Sequence, residues 1–109
     1  MNSNAYSLLG LCRRADKLSM GHDMCKSSVR NGKARLCIIS SDSSQRATDE
    51  FAGLCRDSGI RLFKIPLTID EIHHIIGYKA GVMTVDDSGF AESVIRNFEK
   101  NTFVEEISL

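Results

Sequence analysis

The chain has one proline, no long apolar run and no close pair of cysteines, and each shortage excludes something. A lone Pro66 in 109 residues rules out a polyproline rod or a proline-rich linker. No apolar run approaches the ~20 residues that a membrane-spanning helix requires. Leu8-Leu9-Gly10-Leu11-Cys12 has the outline of a lipoprotein signal, but lacks a basic region before it and has a large Leu11 ahead of the cysteine. Export is therefore not expected, and the cytoplasm is the expected location. Cys12, Cys25, Cys37 and Cys55 include no close pair of the kind a zinc knuckle or redox motif needs. Each falls at an apolar position of a periodic segment, so buried free thiols in a reducing compartment are expected.

Apolar and charged fractions are those of an ordinary globular protein, and 109 residues suffice for one core. A single domain over 1–109 is expected, with a loose tail from about residue 102. The formal net charge of zero conceals an asymmetry. Up to Arg35 the chain carries Arg13, Arg14, Lys17, Lys26, Arg30, Lys33 and Arg35 against Asp16 and Asp23. From Asp86 onward six acids face only Arg96 and Lys100. One end of the chain is thus strongly basic and the other acidic, a dipole that attracts a polyanion to one face.

Periodicity divides the chain into alternating elements. Ala5, Leu8, Leu9 and Cys12 step at helical spacing up to about Arg14, and an extended piece follows at Lys17–Met20. Gly21 permits a sharp turn into a helix from His22 to about Asn31, with Cys25 and Val29 inward and Gly32 as its stop. Leu36–Ile39 is a continuous apolar run suited to a strand buried on both faces. Serines at 40, 41, 43 and 44 supply turn chemistry and a helix start, after which Ala47, Phe51, Leu54 and Cys55 form one stripe ending at Gly59. Arg61–Ile65 reads as a strand closed by Pro66. Thr68 and Glu71 form a capping box for a helix with Ile69, Ile72, Ile75 and Ile76 inside and Gly77 at its end. A strand at Val82–Val85 and an amphipathic helix through Phe90, Ala91, Val94, Ile95 and Phe98 complete the pattern. Such alternation predicts an α/β fold, a three-layer α-β-α sandwich on a mixed, roughly four-stranded sheet.

Catalytic signals are weak. There is no Gly-x-Ser-x-Gly elbow and no phosphate-cradling glycine loop. His73 and His74 are adjacent on a helix, point about 100° apart and make a poor metal pair. Cys25 has Lys26 beside it, but a nucleophilic thiol needs a partner that lowers its pKa. No catalytic residue, cofactor or metal is expected. The stronger constellation surrounds the second helix. Gly21-His22-Asp23 opens it after a strand, where backbone N–H groups at a positive helix end can seat a phosphate. Lys26 and Arg30 are four apart on one face, with Lys17 before them and Lys33 and Arg35 after. The expectation is a cluster of cations at the mouth of this helix.

The run Leu8-Leu9-Gly10-Leu11-Cys12-Arg13-Arg14-Ala15-Asp16-Lys17-Leu18, then Gly21, then Val29-Arg30-Asn31-Gly32-Lys33-Ala34-Arg35-Leu36 carries a resemblance. So do Gly77 and Asp87-Ser88-Gly89-Phe90-Ala91. Together they resemble the kink-turn-binding ribosomal protein family (archaeal L-seven-Ae, eukaryotic L-thirty-e and Gadd types), and within it the bacterial YlxQ-like members. That resemblance covers about Tyr6 to Phe98. It implies an RNA-binding accessory ribosomal-type protein that recognises kink-turns or similarly bent structured RNA, probed through two segments. The loop before the second helix and the helix itself, Gly21, His22, Asp23, Lys26 and Ser27, would lie beside tandem sheared G·A pairs. A second loop, Tyr78, Lys79, Ala80 and Gly81, would cover an extruded nucleotide. Lys17 and Arg30 would add charge. The strongest kink-turn binders have Gly-x-Asn-Glu at the turn and a lysine one helical turn later. This chain keeps Gly21 but has Asp23, Met24 and Ser27 at those places, with Lys26 one position early. Loss of a good bidentate base contact costs ~1–3 kcal/mol of discrimination, whereas phosphate contacts need charge more than geometry. The partner expected is structured RNA, a ribosomal or messenger kink-turn, with the ribosome as a candidate assembly; no membrane partner is expected, and the protein is expected to be a monomer. The alternative is a protein-interaction module that keeps the fold, with Met24 as an apolar anchor.

Overall fold

The computed structural model describes residues 4–109. Helices and strands alternate through α1 (Asn4–Arg14), β1 (Leu18–Met20), α2 (His22–Arg30), β2 (Leu36–Ile39) and α3 (Gln45–Ser58). They continue through β3 (Leu62–Lys64), α4 (Ile69–Ile76), β4 (Val82–Val85), α5 (Ser88–Glu99) and β5 (Glu105–Glu106). Each strand of the expected four is present, shortened by a residue or two at β1 and β3.

The sheet order is β1-β4-β2-β3-β5, with β2 and β3 parallel and the other pairs antiparallel. Successive strand side chains point to opposite faces, so each central strand serves two cores. Leu36 and Ile38 of β2 join Leu9, Cys12, Ile72, Ile76, Val94 and Phe98 beneath α1, α4 and α5. Cys37 and Ile39 join Cys25, Phe51 and Cys55 beneath α2 and α3. This is the three-layer sandwich that the alternation predicts. Burying each such Leu, Ile or Phe contributes about 1.5–3 kcal/mol, and the two-sided burial explains the unbroken apolar run of β2.

Two expectations are corrected. The sheet has five strands, because the tail past residue 102 returns to pair Glu105 and Glu106 with Lys64 and Phe63. Arg61 fastens it, its Nε lying 2.7 Å from Glu106 and Nη2 3.1 Å from Glu99. An acidic pair with no apolar alternation carries no strand signal, and its partner Arg61 lies over forty residues earlier. Ile75, expected inside α4, is instead 49% exposed. On this eight-residue helix only Ile72 and Ile76 meet the core.

The helix starts differ in a way that bears on function. Ser44 Oγ accepts from Ala47 N–H at the start of α3, Thr68 and Glu71 form the expected reciprocal box on α4, and Asp87 accepts from Phe90 N–H on α5. A side-chain cap of this kind contributes about 1 kcal/mol. Among α2 to α5, α2 alone has none: its N-cap is Gly21, at φ 93° and ψ 161°. L-residues rarely adopt that conformation, so glycine is required there for the backbone and leaves the first-turn N–H groups uncapped.

Candidate nucleic-acid interface

Strand register decides what surrounds the open mouth of α2. Gly21 N–H donates to Val82 O at 3.0 Å, and Ser40 N–H to Gly81 O at 2.9 Å. These bonds bring the start of α2, the end of β2 and the end of the α4–β4 loop to one rim of the sheet. Between them lies a cavity of about 260 Å³, lined mainly by His22, Ala47, Phe51, Ile69 and Val82 with Ser43 at its side. Gly81 sits close beneath Ile69, and a Cβ there would come within 3.3 Å of its Cδ1. The floor is apolar and the margin carries serine hydroxyls and the Asp42 carboxylate, which accepts from Ile69 N–H at 3.1 Å, an arrangement of few polar groups over an apolar floor that suits a small planar ligand.

The His22 ring stands edge-on to Phe51 at 5.5 Å. Its Nε2 lies 2.8 Å from Glu50 Oε1 and its Nδ1 3.2 Å from Asp23 Oδ1. Hydrogen bonding to Glu50, then to Asp23, raises the His22 pKa above the ordinary histidine value. His22 in turn, with Lys26, lowers that of Glu50. Lys26 Nζ is 3.3 Å from the other Glu50 oxygen. Glu50 therefore holds two groups that the sequence assigned to a polyanion. Nothing in the sequence links positions 22 and 50; their meeting depends on α2 packing against α3.

The expected site residues do not all gather at the mouth. Gly21, His22, Asp23 and Lys26 do, with Asp23 and Met24 exposed, Met24 at 64%. Ser27 is exposed on α2 and accepts a hydrogen bond from Asn31 Nδ2 at 3.1 Å. The α4–β4 loop reaches the mouth at Gly81, whereas Ala80 is buried and Tyr78 lies over Arg13, 5.9 Å from guanidinium to ring centroid. Arg13 also donates to Ile76 O at 3.1 Å and so braces the loop from α1. Lys79 stands 3.6 Å from Asp70 of α4. Lys17 and Arg30 lie elsewhere, which corrects the expected single cluster. Leu18 pairs with Val85 at the start of β1, whereas Met20 pairs with Met83 near the mouth, so Lys17 precedes the far end of the strand. Arg30 is the last residue of α2.

At that far end Asp86 unites three elements. Its carboxylate accepts from Ser19 Oγ of β1 at 2.5 Å, Ser28 Oγ of α2 at 2.7 Å and Thr84 Oγ1 of β4 at 2.9 Å. The alternation Thr84-Val85-Asp86 placed two polar groups on one strand face, a signal that went unused.

The four cysteines are free and buried. Burial pushes Cys12 up to about 11 and Cys25 up to about 12, and the Cys55 contact with burial raises Cys37 well above its ordinary value. These three thiols are poor nucleophiles at neutral pH. His74 Nδ1 is 2.8 Å from Asp70 O on its own helix, and no group of metal-ligating side chains converges among the described residues. No helix among them is long and apolar enough to cross a membrane.

Fold and site define a class: a small α-β-α sandwich with an uncapped, glycine-started α2 beside the end of the α4–β4 loop. The chain belongs to the Ribosomal protein L7Ae/L30e/S12e/Gadd45 family, whose model matches residues 3–94. It is similar to the RNA-binding protein YlxQ of Bacillus subtilis (strain 168), with 30% identity over 95 residues, 83% of this chain and 90% of that protein. The RNA-binding protein YlxQ of Enterococcus faecium is 28% identical over 88 residues, 81% of this chain and 84% of that one. A solved structure of a protein of unknown function from Bacillus halodurans C superposes with a TM-score of 0.80 at 28% identity, covering 87% of this chain and 96% of the other.

Proposed function

We propose that this protein binds structured RNA, and that it recognises a sharply bent internal loop of the kink-turn kind through the mouth of α2. One observation carries the proposal: α2 alone among α2 to α5 starts without a side-chain cap, and its open start borders an apolar cavity of base-accommodating size. Uncapped N–H groups at a positive helix end favour phosphate or base acceptors. The cavity of about 260 Å³ takes one unstacked base, with the exposed His22 ring at its side, Ile69 against its edge and buried Phe51 behind its floor. A sharply bent internal loop presents a crowded backbone and an unstacked base together. The names of the two YlxQ relatives support RNA as the ligand.

In this mechanism shape contributes more than base reading. Asp23 and Met24 offer no bidentate amide, and the Lys26 charge is shared with Glu50. Backbone N–H groups and the cavity would do most of the selecting, and Lys79, near the start of α4, would reach phosphates beside the loop. Titration calorimetry against a kink-turn RNA and a straight duplex of equal length tests this. Preference for the bent RNA by about tenfold or more, equivalent to ~1.4 kcal/mol, supports it. Equal affinity for both, or binding to neither at low salt, overturns it.

A further inference from the structure

We infer that the end of α2 remote from its mouth is a second RNA contact surface, a phosphate-binding platform for the duplex stem that flanks the bend. The inference rests on the proposed function for the bend itself, and adds a separate surface to it.

Register and hydrogen bonds place the platform. Arg35 N–H donates to Val85 O at 2.7 Å, and Asp86 N–H to Lys17 O at 2.8 Å, so Lys17 and Arg35 flank the end of β4. They stand one strand to either side of it, about 10 Å apart at the usual inter-strand spacing. Arg30 ends α2, and Lys33 follows in the turn whose N–H returns to Ser28 O at 3.0 Å. All four cations are exposed. Among the described residues none stands within 4.0 Å of a carboxylate oxygen, and the Arg35 side chain donates to a backbone carbonyl, that of Gly32.

Most cations of the described residues lack a carboxylate partner; what marks the platform is that four of them meet at one end of the fold. Lys26, Arg61 and Lys79 each have a carboxylate partner. Asp86, at the end of β4 between Lys17 and Arg35, has its oxygens engaged by three hydroxyls, and Asp16 beside Lys17 forms no ion pair with any of the four. Four unpartnered cations packed onto one end repel one another, and a dense polyanion relieves that repulsion.

The chemistry favours nucleic acid over protein. None of the exposed large apolar residues, Leu11, Met24, Ile75, Tyr78, Phe103 and Leu109, belongs to the platform. Protein interfaces are centred on apolar and aromatic anchors and depleted in lysine, whereas nucleic-acid interfaces are polar and strongly positive. Reach is also suitable. The nine residues of α2 span about 13 Å, over which a duplex of DNA-like charge density carries roughly eight phosphates. A stem that follows α2 away from the mouth would pass the far end within one helical turn of RNA.

The test uses the full chain and three RNAs: a kink-turn with minimal stems, the same kink-turn with one stem extended by a helical turn, and a straight duplex. Lys33→Gln with Arg35→Gln is compared with the unaltered protein across a salt series, and Arg30→Gln serves as an independent variant. The extended RNA should bind the double variant about tenfold more weakly, with a salt slope flatter by roughly two units. The minimal RNA should bind both proteins equally. Equal loss on both kink-turns, or no loss on the extended one, overturns the inference; in the latter case an acidic protein becomes the partner to seek. Should the unaltered protein fail to distinguish bent from straight RNA, the proposed function fails alone. The platform then stands if low-salt duplex binding is weakened by the variants, and falls if it is not.

Discussion

The two ends of α2 are built on opposite plans. At the mouth almost every charge has a partner: His22 and Lys26 share Glu50, Asp23 leans on His22, and Lys79 faces Asp70. What is left unsatisfied there is backbone, the uncapped first turn, together with an apolar cavity. At the far end the backbone is tied down and Asp86 is saturated, while Lys17, Arg30, Lys33 and Arg35 lack carboxylate partners. The difference suggests a division of labour. A mouth with quenched charge can select by shape, since few free cations remain to attract arbitrary polyanions. A far end with free charge supplies attraction without selection.

The largest expected effect tests the anchor of the far end. Asp86→Ala leaves the buried hydroxyls of Ser28 and Thr84 without their acceptor and uncouples α2 from β1 and β4. Hydrogen bonds to a charged group contribute ~1.5–3 kcal/mol each, and the losses overlap, so urea denaturation should register a fall of about 3 kcal/mol. A fall below about 1 kcal/mol would mean that hydroxyls and helix are held by packing instead.

Next comes Gly21→Ala at the mouth. A Cβ there meets nothing within 4 Å, so the cost is conformational only, about 1–3 kcal/mol for a φ of 93°. The same variant should weaken bent-RNA binding, because relief of the strain turns the first N–H groups away. Stability lost with affinity retained would detach the turn from recognition.

A smaller change should follow Glu50→Gln. Release of Lys26 and His22 should raise affinity for the bent RNA several-fold and steepen the salt dependence by about one unit, as the mouth comes to resemble the far end. Discrimination against straight duplex should shrink at the same time. Tighter binding with undiminished discrimination would break the division of labour.

The smallest effect is in titration. Glu50 and Asp23 raise the His22 pKa, and His22 and Lys26 lower that of Glu50. The stabilisation tied to His22 is present in full below its unfolded pKa and is lost as pH rises through the folded value. That tied to Glu50 is present above its unfolded pKa and is lost as pH falls through the folded one. The two coincide in the mildly acidic window, so the Tm difference between wild type and Glu50→Gln should be widest there and narrow towards alkaline pH. In the same variant the His22 pKa, followed by its ring resonances, should drop towards the ordinary value; an unmoved pKa would show that the 2.8 Å contact is not kept in solution.

Much of the architecture was legible in the chain because its signals are local. Apolar spacing marks the helices, Gly21, Gly59 and Gly77 punctuate them, and Thr68 with Glu71 announces α4. Two-sided burial of Leu36–Ile39 followed from an unbroken apolar run. The misses are non-local. β5 is fastened by Arg61, which bonds Glu106 forty-five residues later, and no periodicity foretells it. For the candidate site, the turn and the helix that follows were readable, since glycine and charge stand next to each other there. Which cations stay free was not, because Glu50 comes from another helix. Lys17 and Lys26 are nine positions apart in the chain, and a three-residue strand between them carries them to different ends of the sheet.

The short ribbon at residues 105–106 has a consequence for self-association. β3 would otherwise be the outermost strand, and Ile107 N–H, which donates to Leu62 O at 2.9 Å, closes one of its vacant acceptors. Bare sheet margins template the addition of further chains. By laying residues 105–107 over that margin and clasping Glu106 with a guanidinium, the molecule covers β3, and a chain clipped before Val104 should expose it as a second bare edge besides β1 and self-associate more readily.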